Sequence, residues 1–238
     1  MLLAHSLLRV QAGVDPARIG ITGISWGGYL TCLTAGVDHR FALAAPIYGC
    51  GFLGENSIWL PDFAKMGPDR AAKWLSLWDP KHYLPQARMP MLWVNGTNDM
   101  AYPLEMHLKS ARLIQGPRTM SIRVRLSHAH GGNGEYVPEV HHFVSHVLKG
   151  EPPLYKITAQ ARDGALVSAD FTTPLPVDHA ELCFTRARGR WLERYWETAP
   201  AKIDGTRASA YLPDGAVAWF LNIYDCRQLA VSSDLEEG

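Results

Sequence analysis

The chain has 238 residues, 47% hydrophobic and 19% charged, enough apolar material for one or two cores, which excludes a disordered or collagen-like polypeptide. Twenty-three Lys/Arg offset twenty-three Asp/Glu at a pI near 7.1, so there is no basic footprint for nucleic acid or an anionic membrane, and a small or neutral molecule is the expected partner. The zero hides a split, +4 over residues 1–150 with nine of the ten histidines and −4 over 151–238, and two units with different jobs are expected.

At the amino terminus Leu3, Leu7, Val10 and Val14 recur at helical spacing and predict an amphipathic helix packed on a domain. His5 and Arg9 interrupt its apolar run and no basic stretch precedes it, so neither a signal peptide nor a membrane span is expected, and the compartment stays open. Four apolar runs follow, Ile19–Thr22, Phe41–Tyr48, Met91–Asn95 and Ser121–Leu126. They alternate with helical patterns near Gly27–Gly36, Ala71–Leu77, Pro103–Ile114 and Pro138–Leu148, which predicts an α/β unit with a parallel sheet over residues 1–150. Gly150-Glu151-Pro152-Pro153 punctuates the chain, since paired prolines supply no N–H and fix φ.

Beyond that break come the strand-sized pieces Tyr155–Ala161, Glu181–Thr185, Arg194–Glu197, Ser209–Leu212, Ala216–Ile223 and Leu229–Ser232. Asp163-Gly164, Arg188-Gly189, Asp204-Gly205 and Pro213-Asp214-Gly215 mark turns between them. Residues 154–238 are therefore expected to form an all-β sandwich of fibronectin or immunoglobulin type. Cys32, Cys50, Cys183 and Cys226 have neither the spacing of a metal site nor that of a disulfide framework.

The chemistry concentrates in Asp15-Pro16-Ala17-Arg18-Ile19-Gly20-Ile21-Thr22-Gly23-Ile24-Ser25-Trp26-Gly27-Gly28, which reads as strand, sharp turn and helix with G-x-S-x-G at the turn. Such a turn lifts Ser25 Oγ clear of the sheet, and the flanking glycines are expected to be demanded by collision with neighbouring strand or helix. The N–H of Trp26 would face a developing oxyanion. A serine hydroxyl needs a base, and the base an orienting acceptor. The third strand runs into Gly96-Thr97-Asn98-Asp99 and the fourth into Ser127-His128-Ala129-His130-Gly131-Gly132, giving the order Ser, Asp, His.

These pieces make residues 1–150 resemble the carboxyl-terminal part of an α/β-hydrolase of the acetylxylan esterase and prolyl-oligopeptidase-like group. Glu151-Pro152-Pro153-Leu154 and the β-rich tail resemble bacterial esterase-like members with an appended sandwich. The resemblance implies Ser25 as nucleophile, Asp99 as orienting acid and His128 or His130 as base. His128 is favoured because it lies nearer the strand, with His130-Gly131 as the alternative. It further implies a serine carboxylesterase removing acetyl or other short acyl groups from a carbohydrate or related alcohol, with no metal or organic cofactor. A peptidase or amidase on the same residues is the runner-up, and a non-catalytic interaction module is the reading from another class.

Other candidates are plainer. His142 and His146 stand four apart but lack the H-E-x-x-H arrangement, and a solvated helix face is the expectation. Trp59, Phe63, Trp74, Trp78 and Tyr83 either line a pocket or pack under a long connection. Cys50 is expected to be a small buried residue. The fold implied by the resemblance carries several strands ahead of the elbow, where this sequence has only a helix. The second oxyanion donor is thus missing from these residues, and the strand at Ile19–Thr22 is left with an open edge. A truncated reading frame, another chain supplying the strands, or two copies paired through the edge would each account for this. A homo-oligomer or partner covering the edge is expected.

Overall fold

The computed structural model spans residues 1–238 and describes all of them except 127, 130–133 and 173. Four parallel strands, β1 (Gly20–Ile24), β2 (Leu43–Ile47), β3 (Met91–Gly96) and β4 (Arg118–Arg123), lie in the order β1-β2-β3-β4. Their alternation divides the apolar side chains between two faces. Ile21, Ala44, Met91, Trp93, Met120 and Ile122 face one core, together with α2 (Trp26–Val37) and α6 (Leu104–Ala111). Leu43, Ala45, Ile47, Leu92 and Val94 face the other, covered by Val140 and Phe143 of α7 (Pro138–Lys149). Burial on both faces of β2 and β3 explains why these two strands read as near-continuous apolar runs, whereas β1 buries Ile21 alone.

The fourth strand lies three residues earlier than its apolar run indicates. Ladder pairing with β3 starts at Arg118, and Arg125 turns the chain at φ 57°. The first helix, α1 (Leu2–Arg9), departs further from expectation. Leu3, Leu7 and Val10 are exposed, and the one fully buried side chain is His5, stacked on Phe41 at 3.7 Å and hydrogen-bonded through Nδ1 to Asp38 at 2.8 Å. The helix is thus held by a polar contact and not by its leucine stripe. Between β2 and β3 the chain forms α3 (Leu53–Asn56), α4 (Leu60–Met66) and α5 (Pro68–Trp78).

The tail supplies β5 (Lys156–Asp163), β6 (Leu166–Thr172), β7 (Val177–Thr185), β8 (Trp196–Asp204), β9 (Arg207–Tyr211), β10 (Ala218–Asp225), β11 (Ala230–Ser232) and β12 (Glu236–Glu237). Glycines at φ 59°, Gly164 and Gly205, close the β5–β6 and β8–β9 hairpins. The strands follow one hydrogen-bonded path, β11-β10-β7-β8-β9-β6-β5, and β12 pairs with β10. Long β8 pairs β7 along 196–201 and β9 along 202–204, so the antiparallel sheet curls through it. Hydrogen bonding therefore does not separate the two sheets of the expected sandwich.

The sheet's two edges differ. Along β4, Ile122 N–H donates to Ser232 Oγ at 2.7 Å, and Asn222 Nδ2 donates to the Ile122 carbonyl at 3.1 Å. Polar side chains of β10 and β11 thus satisfy that edge. No strand among the described residues pairs with the outer side of β1. No helix among the described residues is long and apolar enough to cross a membrane.

Candidate active site

Ser25 stands between β1 and α2 at φ 56° and ψ −119°, a conformation that costs a non-glycine residue on the order of 1–3 kcal/mol and persists only where packing imposes it. Its N–H donates to the Ile47 carbonyl and its own carbonyl accepts from Tyr29 N–H, both at 3.0 Å. A Cβ at Gly23 would sit 2.5 Å from the backbone of Gly27, and one at Gly49 would lie 2.4 Å from the Ser25 carbonyl oxygen. A Cβ at Gly28 would meet the Ile47 oxygen at 2.7 Å. Gly27 differs, since a Cβ there meets nothing within 4 Å. The collision expected on both sides of Ser25 thus exists at Gly23 alone, and Gly28 and Gly49 complete the close approach.

Asp99 lies in the loop after β3, buried, with Oδ1 accepting from the N–H groups of Ala101 (2.9 Å) and Tyr102 (2.7 Å). Its Oδ2 lies 2.8 Å from His128 Nδ1, and His128 Nε2 lies 2.8 Å from Ser25 Oγ. A carboxylate only accepts, so Nδ1 carries the proton and Nε2 is left to accept from the serine hydroxyl. Three residues far apart in sequence are thereby joined in one line. Main-chain contacts bring the acid and base loops together: Thr97 N–H donates to the Arg123 carbonyl at 3.0 Å, and Arg125 N–H donates to Thr97 Oγ1 at 3.0 Å. Gly96 permits this, since a Cβ would lie 2.2 Å from the Leu126 carbonyl oxygen. His130, the alternative base, lies outside the described residues.

Trp26 opens α2 directly after Ser25, and a first-turn N–H has no partner within the helix. Its indole stacks on Tyr29 at 4.3 Å and tilts against Trp59 at 5.5 Å, and Trp59 meets Tyr102 at 4.8 Å. Tyr102 lies 6.1 Å from the His128 ring. Of the aromatic residues singled out in the sequence, Trp59 therefore borders the site. Phe63 and Trp74 pack on each other, Trp78 is exposed, and Tyr83 donates its hydroxyl to the Leu77 carbonyl. Complete burial pushes the Cys50 thiol well above its ordinary pKa, so it stays protonated and inert. His142 and His146 lie on α7, where His146 Nδ1 bonds the Glu151 carbonyl at 2.7 Å.

Two neighbours of the site reach partners that no local pattern in the sequence marks. Fully buried Tyr48 directly follows β2 at φ 31°, packs its ring 4.5 Å from His128 and donates its hydroxyl to the Ala129 carbonyl at 2.7 Å. Asn98, beside Asp99, donates through Nδ2 to the carbonyls of Trp191 (3.2 Å), Leu192 (3.0 Å) and Arg194 (2.7 Å), tying the tail to the acid loop. Tyr48 closes the second apolar run and Asn98 precedes the acid in its loop, but nothing local tells which distant carbonyl each reaches.

The profile of the family described as "Prolyl oligopeptidase family" matches residues 1–149. Among solved structures, an acetyl xylan esterase from a Paenibacillus species is similar at a TM-score of 0.54 and 20% identity, over 62% of this chain and 51% of that one. An acylaminoacyl peptidase from Pyrococcus horikoshii is similar at 0.51 and 22%, over 63% and 27%. Acetyl xylan esterase 1 from a Thermoanaerobacterium species is similar at 0.50 and 17%, over 60% and 50%. The chain spans about half the length of these esterases and about a quarter of the peptidase. Identities this low show a shared fold. No curated protein matches the chain by sequence.

Proposed function

This chain belongs to the prolyl oligopeptidase family, within the α/β-hydrolases, and on that premise we propose that it is a serine hydrolase that cleaves esters of short acyl groups through Ser25, His128 and Asp99. The observation that carries the reading is the unbroken line from Asp99 Oδ2 to His128 to Ser25 Oγ, each step 2.8 Å. Ser25 Oγ attacks the ester carbonyl while its proton passes to His128 Nε2. Asp99 holds the imidazole tautomer and stabilises the imidazolium. The Trp26 N–H stabilises the oxyanion. His128 then gives the proton to the leaving alcohol oxygen, and a water activated by the same nitrogen releases the acid and frees Ser25.

A fluorophosphonate probe should label Ser25, with labelling lost in Ser25→Ala and p-nitrophenyl acetate turned over only by the parent protein. A folded chain that neither labels nor turns over would instead favour a non-catalytic interaction module. The family's description favours a second enzymatic reading, amide cleavage with the same residues. Turnover of peptide p-nitroanilides ahead of acetyl esters would establish that reading in place of ours. Acetylated xylo-oligosaccharide belongs in the same panel, because two xylan esterases share this fold.

A further inference from the structure

Next to the acid loop lies a cavity of about 470 Å³ walled by three separate parts of the chain. The α3–α4 segment contributes Asn56, Ser57, Ile58, Leu60 and Pro61, the acid loop Met100 and Pro103, and the tail Arg190, Trp191 and Leu192. Four large aliphatic side chains stay open to solvent here, Ile58 (45%), Leu60 (37%), Met100 (50%) and Leu192 (41%). Exposed apolar side chains gathered in a concavity of this size mark binding sites.

The tail's wall is fixed. Asn98 holds three of its carbonyls, Trp191 is buried in the core, and the Arg194 guanidinium lies 3.7 Å over the Trp191 ring. Asn56 and Ser57 on the cavity wall are already engaged, while the exposed Arg190 guanidinium meets only Glu193 among the described residues. Asn56 Nδ2 donates to Glu105 at 2.5 Å, Ser57 Oγ donates to the Leu53 carbonyl at 2.6 Å, and Arg190 pairs with Glu193 at 3.5 Å. Apart from Arg190 at the rim, what remains on offer is apolar surface, which a polyhydroxylated group would meet with most of its hydroxyls unmatched.

The cavity's place relative to the reacting atoms decides its role. Of the lining residues, Met100 follows Asp99 and Pro103 follows Tyr102, whose ring lies 6.1 Å from that of His128. It therefore lies on the Asp99–His128 side of Ser25. The leaving group departs on that side, because His128 supplies its proton. We propose, resting on the serine-hydrolase reading above, that this cavity is the leaving-group subsite and takes an apolar aryl or alkyl group carried by the alcohol. The acyl–oxygen bond breaks, the alcohol oxygen takes the proton that left Ser25, and the apolar group is held between Ile58, Met100 and Leu192. One methylene in such a pocket is worth roughly tenfold or more in discrimination.

The test compares 2-phenylethyl acetate with ethyl acetate, two alkyl esters of similar intrinsic reactivity. The parent protein should prefer the phenylethyl ester in kcat/KM by about tenfold to a hundredfold. Leu192→Ser and Ile58→Ser, on separate elements, should each cut that ratio about tenfold. A ratio near one in the parent, or one that neither variant moves, overturns the subsite while leaving the hydrolase reading intact. Binding read without turnover separates the two ideas the other way. Saturable binding of 2-phenylethanol to the Ser25→Ala protein, weakened by Leu192→Ser, supports the subsite even if Ser25 proves unreactive. Absence of that binding overturns it.

Discussion

The two glycines flanking Ser25 should respond to alanine in opposite directions. In Gly23→Ala the added methyl falls 2.5 Å from the Gly27 carbonyl carbon and oxygen. Ordinary van der Waals contact needs about 1 Å more. The obstacle is backbone, so no rotamer relieves it, and the amino-terminal turn of α2 must move. Overpacking of this kind costs about 1–3 kcal/mol, and a 1 Å displacement of reacting groups costs about a hundredfold in rate. In Gly27→Ala the methyl enters open space inside a helix at a negative φ, where alanine restricts the unfolded chain and gains about 0.4–1 kcal/mol. For a chain of this size each kcal/mol moves the melting temperature by about 2–4 °C. Gly23→Ala should therefore melt about 2–12 °C lower and Gly27→Ala about 1–4 °C higher than the parent. Calorimetry reads the stabilities, and p-nitrophenyl acetate hydrolysis reads the Gly23→Ala rate loss. Equal melting shifts, or Gly27→Ala the less stable of the two, would refute the argument that only Gly23 is pressed against backbone.

Tyr48→Phe removes the donor to the Ala129 carbonyl while keeping the ring against His128, so kcat should fall about fivefold to tenfold with KM unchanged. A change in KM alone would argue that Tyr48 touches substrate and does not position the base. His107 is buried with neither ring nitrogen hydrogen-bonded among the described residues, and burial holds its pKa at about 3 against an ordinary 6.5. The unfolded chain then binds a proton that the folded one refuses, so stability is complete above pH 6.5 and falls as the pH drops towards 3. At pH 5 the loss is up to about 2 kcal/mol, and His107→Leu should flatten that part of a urea-midpoint profile; an unchanged acid limb would assign it to other groups. We further propose that a second copy or partner chain covers the open edge of β1. Sedimentation should then show an assembly at micromolar concentration, and a stable monomer would count against it.

How far the sequence could be read depended on whether the information was local. Apolar runs located β2 and β3 because strands buried on both faces demand unbroken hydrophobic residues. They misplaced β4 because Ile122, Val124 and Leu126 alternate as a strand does, while a left-handed Arg125 turns the chain between them. The first helix misled for a related reason. Leucine spacing predicted a buried stripe, but the burial went to His5, whose acceptor Asp38 lies 33 residues away. Ser25, Asp99 and His128 could be named because each sits in a short motif after a strand. Tyr48 and Asn98 could not, because their partners are main-chain carbonyls that only the folded chain brings near.

The Pro152-Pro153 break suggests a division that the packing does not follow. One core holds Met91, Trp93 and Met106 together with Cys183, Trp191, Trp196 and Phe220 from the tail. The other holds Ile47, Val94 and Phe143 together with Val167, Leu182 and Trp219. Each core therefore takes residues from both sides of the prolines, and the Ile122 edge of β4 depends on Ser232 and Asn222 for its hydrogen bonds. Removing the tail would strip apolar cover from both cores and leave the Ile122 main-chain groups to be hydrogen-bonded by water. The acid loop would lose its Asn98 anchor in the same step. The +4 and −4 halves are thus distinct in charge and one unit in packing. The tail's contribution begins beside Asp99, where position controls the imidazole.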